Sequence, residues 1–206
     1  MINSQIAYLA NLGSQLILWT LFIASFLLIA GAIERLLFYR KNFLKSSEKL
    51  IEQLSIAPLA QIKKVLTETS TLESKIVLSA LAQTDGVVGE KFVAAVSARI
   101  SSMKPSWERS FLFFSAVGSN APFLGLLGTV LGLMQSFADL ALAAKPDAAI
   151  AMAGISNALI TTVAGIVIAI PSIIVLNYLK ARESVAVENI GAITDIIISV
   201  SPKNEA

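Results

Sequence analysis

The sequence predicts an all-α, polytopic membrane protein with three transmembrane helices, and three observations predict it. Of the 206 residues, 55% are hydrophobic and only 15% charged. The mean hydropathy is +0.75, a balance that belongs to an integral membrane protein rather than a soluble domain. Three runs, 1–33, 110–138 and 148–179, carry no charged side chain. Each holds the roughly 20 apolar residues that cross a hydrocarbon core of about 30 Å.

The first run begins with polar but uncharged residues to Gln15, continues apolar through 16–33, and stops at Glu34, Arg35, Arg40, Lys41 and Lys45. A secretory signal carries its positive charge ahead of the apolar run. Ala30-Gly31-Ala32 resembles a cleavage site, but the basic segment before it is missing, so the run reads as a spanning helix. The positive-inside rule places Arg35 onward in the cytoplasm and the N-terminus outside.

Between Arg40 and Arg109 the composition becomes that of a soluble region. Residues 34–109 hold 12 Lys/Arg against 8 Asp/Glu. Helical spacing recurs at Leu50, Leu54 and Leu59, at Ile62, Val65 and Leu66, and at Ile76, Val77 and Leu81. Pro58, Gly86 with Gly89, and Pro105 punctuate it, which predicts three or four helices of moderate length. The charges are most simply the solvated face of a cytoplasmic helical domain.

The second spanning helix is expected to start near Trp107 and run outward to about Ala143, turning at Ala144-Lys145-Pro146-Asp147. The third returns over 148–180, and Val187, Ile190, Ile193 and Ile197 continue a helical face beyond it. Helices two and three are therefore expected to extend into the cytoplasm. The domain reading is 1–39 for the periplasmic N-terminus and first helix, and 40–108 for the cytoplasmic domain. The pore-forming hairpin follows over 109–180, then a C-terminal cytoplasmic helix over 181–206.

Residues 120–138 are the most informative stretch. They contain no charge, yet include Gly125, Gly128, Gly132 and Thr129, which a lipid-facing helix has no reason to prefer. Small residues let helix backbones approach in a membrane, where no hydrophobic drive holds helices together. Ala121, Gly125 and Thr129 recur every four residues, and Gly128 with Gly132 makes a GxxxG step. On the third helix Asn157, Thr161, Gly165 and Ala169 recur at the same spacing. Pro122 and Pro171 each remove a backbone donor, which predicts a kink or break.

With Lys145-Pro146 as the apex, Thr129 lies 16 residues before it and Thr162 16 residues after. The two hydroxyls therefore sit at matched depth, about 24 Å from the turn at 1.5 Å per residue. Paired hydroxyls flanked by glycines read as pore-lining, with Thr161 and Asn157 beside them. The alternative is that each threonine caps a carbonyl of its own helix. A buried Asn157 amide needs partners for both donor and acceptor, so it reads as an interhelix contact.

No cysteine or histidine occurs, so thiolate nucleophiles, His-based acid–base pairs, haem and tetrahedral zinc lack ligands. No cofactor is called for, and the chain does not read as an enzyme. A net charge of +2 gives no argument for nucleic acid. The predicted bilayer core also lacks Asp, Glu, Lys and Arg, the residues from which proton relays are built. A proton path through this chain needs a titratable group from another polypeptide.

Several motifs resemble the MotA/TolQ/ExbB proton-channel family, most closely its ExbB/TolQ branch. Glu34-Arg35 with Leu36, Phe38 and Arg40 is similar to the family's sequence at the end of the first helix. Ala121-Pro122, Leu124 through Val130, Gly132 and Phe137 resemble its most diagnostic segment. Gly154-Ile155, Ala158-Leu159, Thr162, Gly165, Ala169-Ile170-Pro171 and Asn177 resemble its third helix.

The resemblance implies a homopentamer in the bacterial inner membrane around the single helices of an ExbD/TolR-like partner dimer. That partner contributes the intramembrane aspartate, and a TonB/TolA-like envelope protein is a further partner beside the lipid bilayer. Thr129 and Thr162 match the family's pore-lining threonines. Asn157 stands where ExbB and TolQ usually have Glu, and Leu131 where they often have Trp. The work done is nutrient uptake, envelope integrity or motility. Two other classes compete: a self-sufficient solute channel and a non-conducting membrane scaffold.

Overall fold

The computed structural model describes residues 2–43, 47–69, 71–142 and 148–201, so the turn predicted at residues 144–147 lies outside the described residues. The described residues form six helices and no strand: α1 (Ile2–Asn42), α2 (Ser47–Ser55), α3 (Leu59–Thr69), α4 (Leu72–Gln83), α5 (Glu90–Leu142) and α6 (Ala148–Val200).

Among them α1, α5 and α6 are long and apolar enough to cross a membrane. At 1.5 Å per residue, the 53 residues of α5 and of α6 extend about 80 Å, far beyond a hydrocarbon core of about 30 Å. Much of each helix must therefore stand outside the bilayer.

The chain divides into two compact units, Met1–Ile33 with Ser110–Asn177, and Glu34–Arg109 with Tyr178–Ala206. The first holds the three uncharged runs. Its core is thin: Ile17 and Leu21 of α1 pack with Ala121 of α5 and Ala169 of α6, flanked by Val117, Leu124, Leu131, Ala164 and Ile168. Phe22, Phe26, Phe123, Phe137, Val163 and Val167 point outward, as expected where the solvent is lipid.

The second unit has a conventional apolar core. Leu54, Ile62, Leu66, Ile76, Val77, Phe92 and Trp107 are buried with Ile190, Ile193 and Ile197 of α6. The last three fall on one helical stripe, so burial of that stripe fixes the end of α6 in this unit. α4 is capped at its N-terminus by Thr71, whose hydroxyl accepts from the Ser74 amide at 3.4 Å. It ends in a tight turn in which Asp85 and Gly86 adopt positive φ of 51° and 77°; glycine tolerates that region without steric penalty.

Two sequence expectations change. The second long helix begins at Glu90, not near Trp107, and passes through Pro105 and Pro122 unbroken. Pro171 likewise lies inside α6. An interior proline costs a helix roughly 3 kcal/mol, but burial of Phe92, Ala95, Val96 and Trp107 against the polar unit's core outweighs that loss at Pro105. Prolines are also better tolerated in spanning helices, where neighbouring helices and hydroxyl side chains satisfy the freed backbone.

Candidate functional site

Five glycines let α5 and α6 approach within the membrane unit, each set against a small or polar residue. A Cβ added to Gly125 would stand 2.7 Å from the Thr161 carbonyl oxygen and 3.3 Å from Gly165 Cα. One added to Gly132 would meet Ala158 Cβ at 2.8 Å, and one added to Gly154 would collide with the Ser136 side chain. Gly165 lies against the Ala121 backbone, and Gly128 faces Thr161 on one side and Ile17 of α1 on the other. Each step of four down α5 from Ser136 to Gly132 meets a step of four up α6 from Gly154 to Ala158, the register of two antiparallel helices.

Backbone contact this close leaves no room for side chains, and the polar atoms of the seam converge. Thr129 of α5 and Thr162 of α6 bring their Oγ1 atoms into hydrogen-bond contact, and Thr161 Oγ1 lies 3.4 Å from Thr129 Oγ1. Two carbonyls serve the cluster. Gly125 O lies 3.2 Å from Thr129 Oγ1, 3.2 Å from Thr161 Oγ1 and 3.3 Å from Thr162 Oγ1. Ala158 O accepts from Thr161 at 2.7 Å and lies 3.2 Å from Thr129.

Each hydroxyl brings one proton and can accept as well. Five polar atoms from two helices thus form a connected net in which a proton can be redirected by rotating an O–H. Thr161 and Thr129 are buried and Thr162 is partly exposed.

Asn157 does not join this net. Five residues separate it from Thr162, a turn of about 140° at 3.6 residues per turn, and it is exposed within the chain. Among the described residues, the interhelix contact expected of its amide is not made inside one chain. Ala121 and Ala169 are buried, and the Ser172 hydroxyl, next to Pro171, donates to Phe114 O of α5 at 2.8 Å.

Sequence reasoning missed Ser136 and Ser172, and named Gly154 only within the third-helix motif, not as a contact. A signal was available for the contact of Ser136 with Gly154: Ser136 lies nine residues before Lys145 and Gly154 eight after Pro146, nearly the matched count that found the threonines.

The model of the MotA/TolQ/ExbB proton channel family matches residues 68–191, which include the whole hydroxyl net. This chain belongs to that family. Its relatives carry the branch names that the motifs suggested. The Tol-Pal system protein TolQ of Pseudomonas aeruginosa is 38% identical over 113 residues, 53% of this chain and 49% of that protein.

A putative biopolymer transport protein of Synechocystis sp., ExbB-like 3, is 30% identical over 162 residues, covering 76% of this chain and 77% of its own length. Biopolymer transport protein ExbB of Pseudomonas putida is 28% identical over 172 residues, 80% of this chain and 49% of that protein. The chain thus spans about half the length of the two Pseudomonas relatives and about three quarters of the cyanobacterial one. The ExbB/TolQ branch of the family is the one these matches support.

Proposed function

We propose that this chain is a proton-channel subunit of an energy-transducing complex in the bacterial inner membrane. Five copies surround the helices of an ExbD/TolR-like partner dimer. The observation that carries the reading is the hydroxyl net of Thr129, Thr161 and Thr162, set in a spanning segment without an ionisable side chain. Hydroxyls pass a hydrogen bond along but do not titrate near neutral pH. A partner carboxyl would hold the proton, and Thr162 would offer it a donor or acceptor.

Basic residues after α1 and their scarcity beyond the hairpin's far end support a periplasmic N-terminus and cytoplasmic polar unit. The downhill proton then drives work on the envelope, in uptake, envelope integrity or motility, passed to a TonB/TolA-like protein. Asn157, outside the net, is a candidate for contact with a neighbouring copy or the partner. Its amide replaces a carboxylate at this position, so the proton path here runs without that charge.

One observation favours a second reading. Every hydroxyl of the net has a carbonyl acceptor within the hairpin, so the threonines could serve packing alone in a non-conducting scaffold. Native mass spectrometry of the complex, expressed with and without its co-encoded single-helix protein, separates the two. Five copies of this chain with two of the partner are expected. A homo-oligomer that never takes up the partner would contradict the channel reading.

A further inference from the structure

A groove runs between α1 and α6 within the membrane unit. It holds about 620 Å³, with Leu18, Phe22 and Ser25 of α1 on one wall and Ala164 and Val167 of α6 on the other. Phe22 and Val167 are 67% and 62% exposed, so both walls are uncovered in the single chain. Ser25 supplies the one hydroxyl of the lining, and among the described residues that hydroxyl makes no hydrogen bond.

The same unit carries an unmatched polar group on α5. Asn120 is exposed. Its Nδ2 donates to Ala116 O at 2.8 Å and to Ser119 Oγ at 3.3 Å, while among the described residues its Oδ1 accepts nothing. Asn120, Phe123 and Leu127 share one helical face, at steps of three and four residues. At about 100° per residue, each is turned roughly 140–160° from Gly125, the residue that meets α6. Phe123 is 69% exposed and Leu127 49%. Lipid offers no donor to the Asn120 oxygen, so the amide calls for a polar group from another helix.

Groove and amide stand at one level. A Cβ added to Gly13 would lie 2.8 Å from Leu131, one added to Gly128 would lie 3.3 Å from Ile17, and one added to Gly31 would lie 3.6 Å from Phe114. Each step along α1 thus matches a step back along α5, and Ser25 falls level with Asn120. Gly125 meets Gly165 and Gly132 meets Ala158, which sets residues 164–168 of α6 level with 122–126 of α5, and so with Phe123. In copies arranged around an axis normal to the membrane every residue keeps its depth. The Asn120 face of one copy therefore reaches the groove of the next at matching height.

We propose that this groove docks α5 of a second copy of the chain, with Phe123 and Leu127 inserted between α1 and α6 and Asn120 Oδ1 accepting from the Ser25 hydroxyl. Helices pack by setting the side-chain ridge of one into the groove of another, and hydrogen bonds from Ser and Asn join helices within membranes. Ridge and groove are different surfaces of the chain, so the contact is heterologous, and repeating such a contact generates a ring. The proposal rests on the five-copy arrangement above and not on proton movement.

The chain has no cysteine, so paired cysteines report on this contact alone. Ser25→Cys with Asn120→Cys is expressed together with the co-encoded single-helix protein, oxidised by copper-phenanthroline in native membranes, and run on a non-reducing gel. The expected result is a ladder of covalent oligomers ending at five copies. Phe123→Cys with Val167→Cys, a second pair across the same contact, should give the same ladder. Neither single variant of the first pair should give it, nor should Ser25→Cys with Phe137→Cys, whose second site is exposed but about 25 Å further along α5. Native mass spectrometry of the parent complex supplies the copy number independently. Five copies with no ladder from either pair, with disulfides confined to single chains, or with equal cross-linking at Phe137, would overturn the contact and leave the five-copy reading standing. A monomeric parent would overturn both.

Discussion

The Oγ1 atoms of Thr129 and Thr162 are in hydrogen-bond contact across α5 and α6, although 33 residues separate them in the chain. The contact depends on Gly125, whose missing side chain lets α6 approach until the Thr161 carbonyl fills its place. Packing and chemistry are thus one feature: the glycines bring the backbones together, and the closeness joins the hydroxyls.

Thr129→Val and Thr162→Val each remove a hydroxyl with little change of shape. A hydrogen bond between membrane helices contributes about 0.6 kcal/mol on average, so each variant should assemble and remain folded. Energy transduction, measured as proton-motive-force-dependent uptake or envelope integrity in a deletion strain, should be lost. Full activity in both variants would favour the scaffold reading.

Gly125→Ala places a methyl group against backbone atoms at 2.7 and 3.0 Å, which cannot rotate away. Overpacking of this kind costs about 1–3 kcal/mol and should part the two helices at the hydroxyl net. Gly191→Ala in the polar unit meets nothing within 4 Å and should stabilise by up to about 1 kcal/mol through helix propensity. Thermal unfolding of the two variants in one detergent compares them. Equal midpoints would contradict the packing account.

Ile193→Ala tests what holds the end of α6. Ile193 is fully buried in the polar unit's core, and removing a large aliphatic side chain from such a core costs about 2–5 kcal/mol. The expected result is a polar unit that is cut by protease at lower concentration than the parent. Unchanged protection would mean that the stripe on α6 contributes little.

The pH dependence of stability has a definite sign. Glu183 binds its proton more tightly folded than unfolded, so the native state holds more protons and stability falls as pH rises. The loss begins above the ordinary carboxylate range and is complete once pH passes the raised folded value. Glu183→Gln should flatten this fall, as read by unfolding midpoints across the series. Tyr39, pushed up to about 12 by burial first and by Glu183 next, against the opposing pull of Arg35, stays neutral throughout. Tyr39→Phe removes its unpartnered hydroxyl and should leave stability equal or higher, because a buried unsatisfied polar group costs about 1–3 kcal/mol.

The spanning helices were legible in the sequence because lipid demands long uncharged runs, and the threonine pair because an antiparallel hairpin makes equal counts from its turn into equal depth. Pro105 misled for a physical reason: proline's cost is local, whereas burial of Phe92, Val96 and Trp107 against α6 and the short helices is tertiary and larger. The contact of Ser136 with Gly154 was legible but passed over, although Ser136 extends the Gly128–Gly132 step and Gly154 stands four residues before Ala158. The burial of Glu183 was not legible, because the fold and not the spacing along its own helix sets it.

Proton flux into liposomes tests the central claim most directly, with this chain reconstituted alone, with its single-helix partner, and with the partner together with Thr162→Val. The account predicts flux only in the second case, driven by an imposed pH gradient and abolished by changing the partner's membrane aspartate to asparagine. Equal flux from this chain alone would contradict it, as would undiminished flux through Thr162→Val.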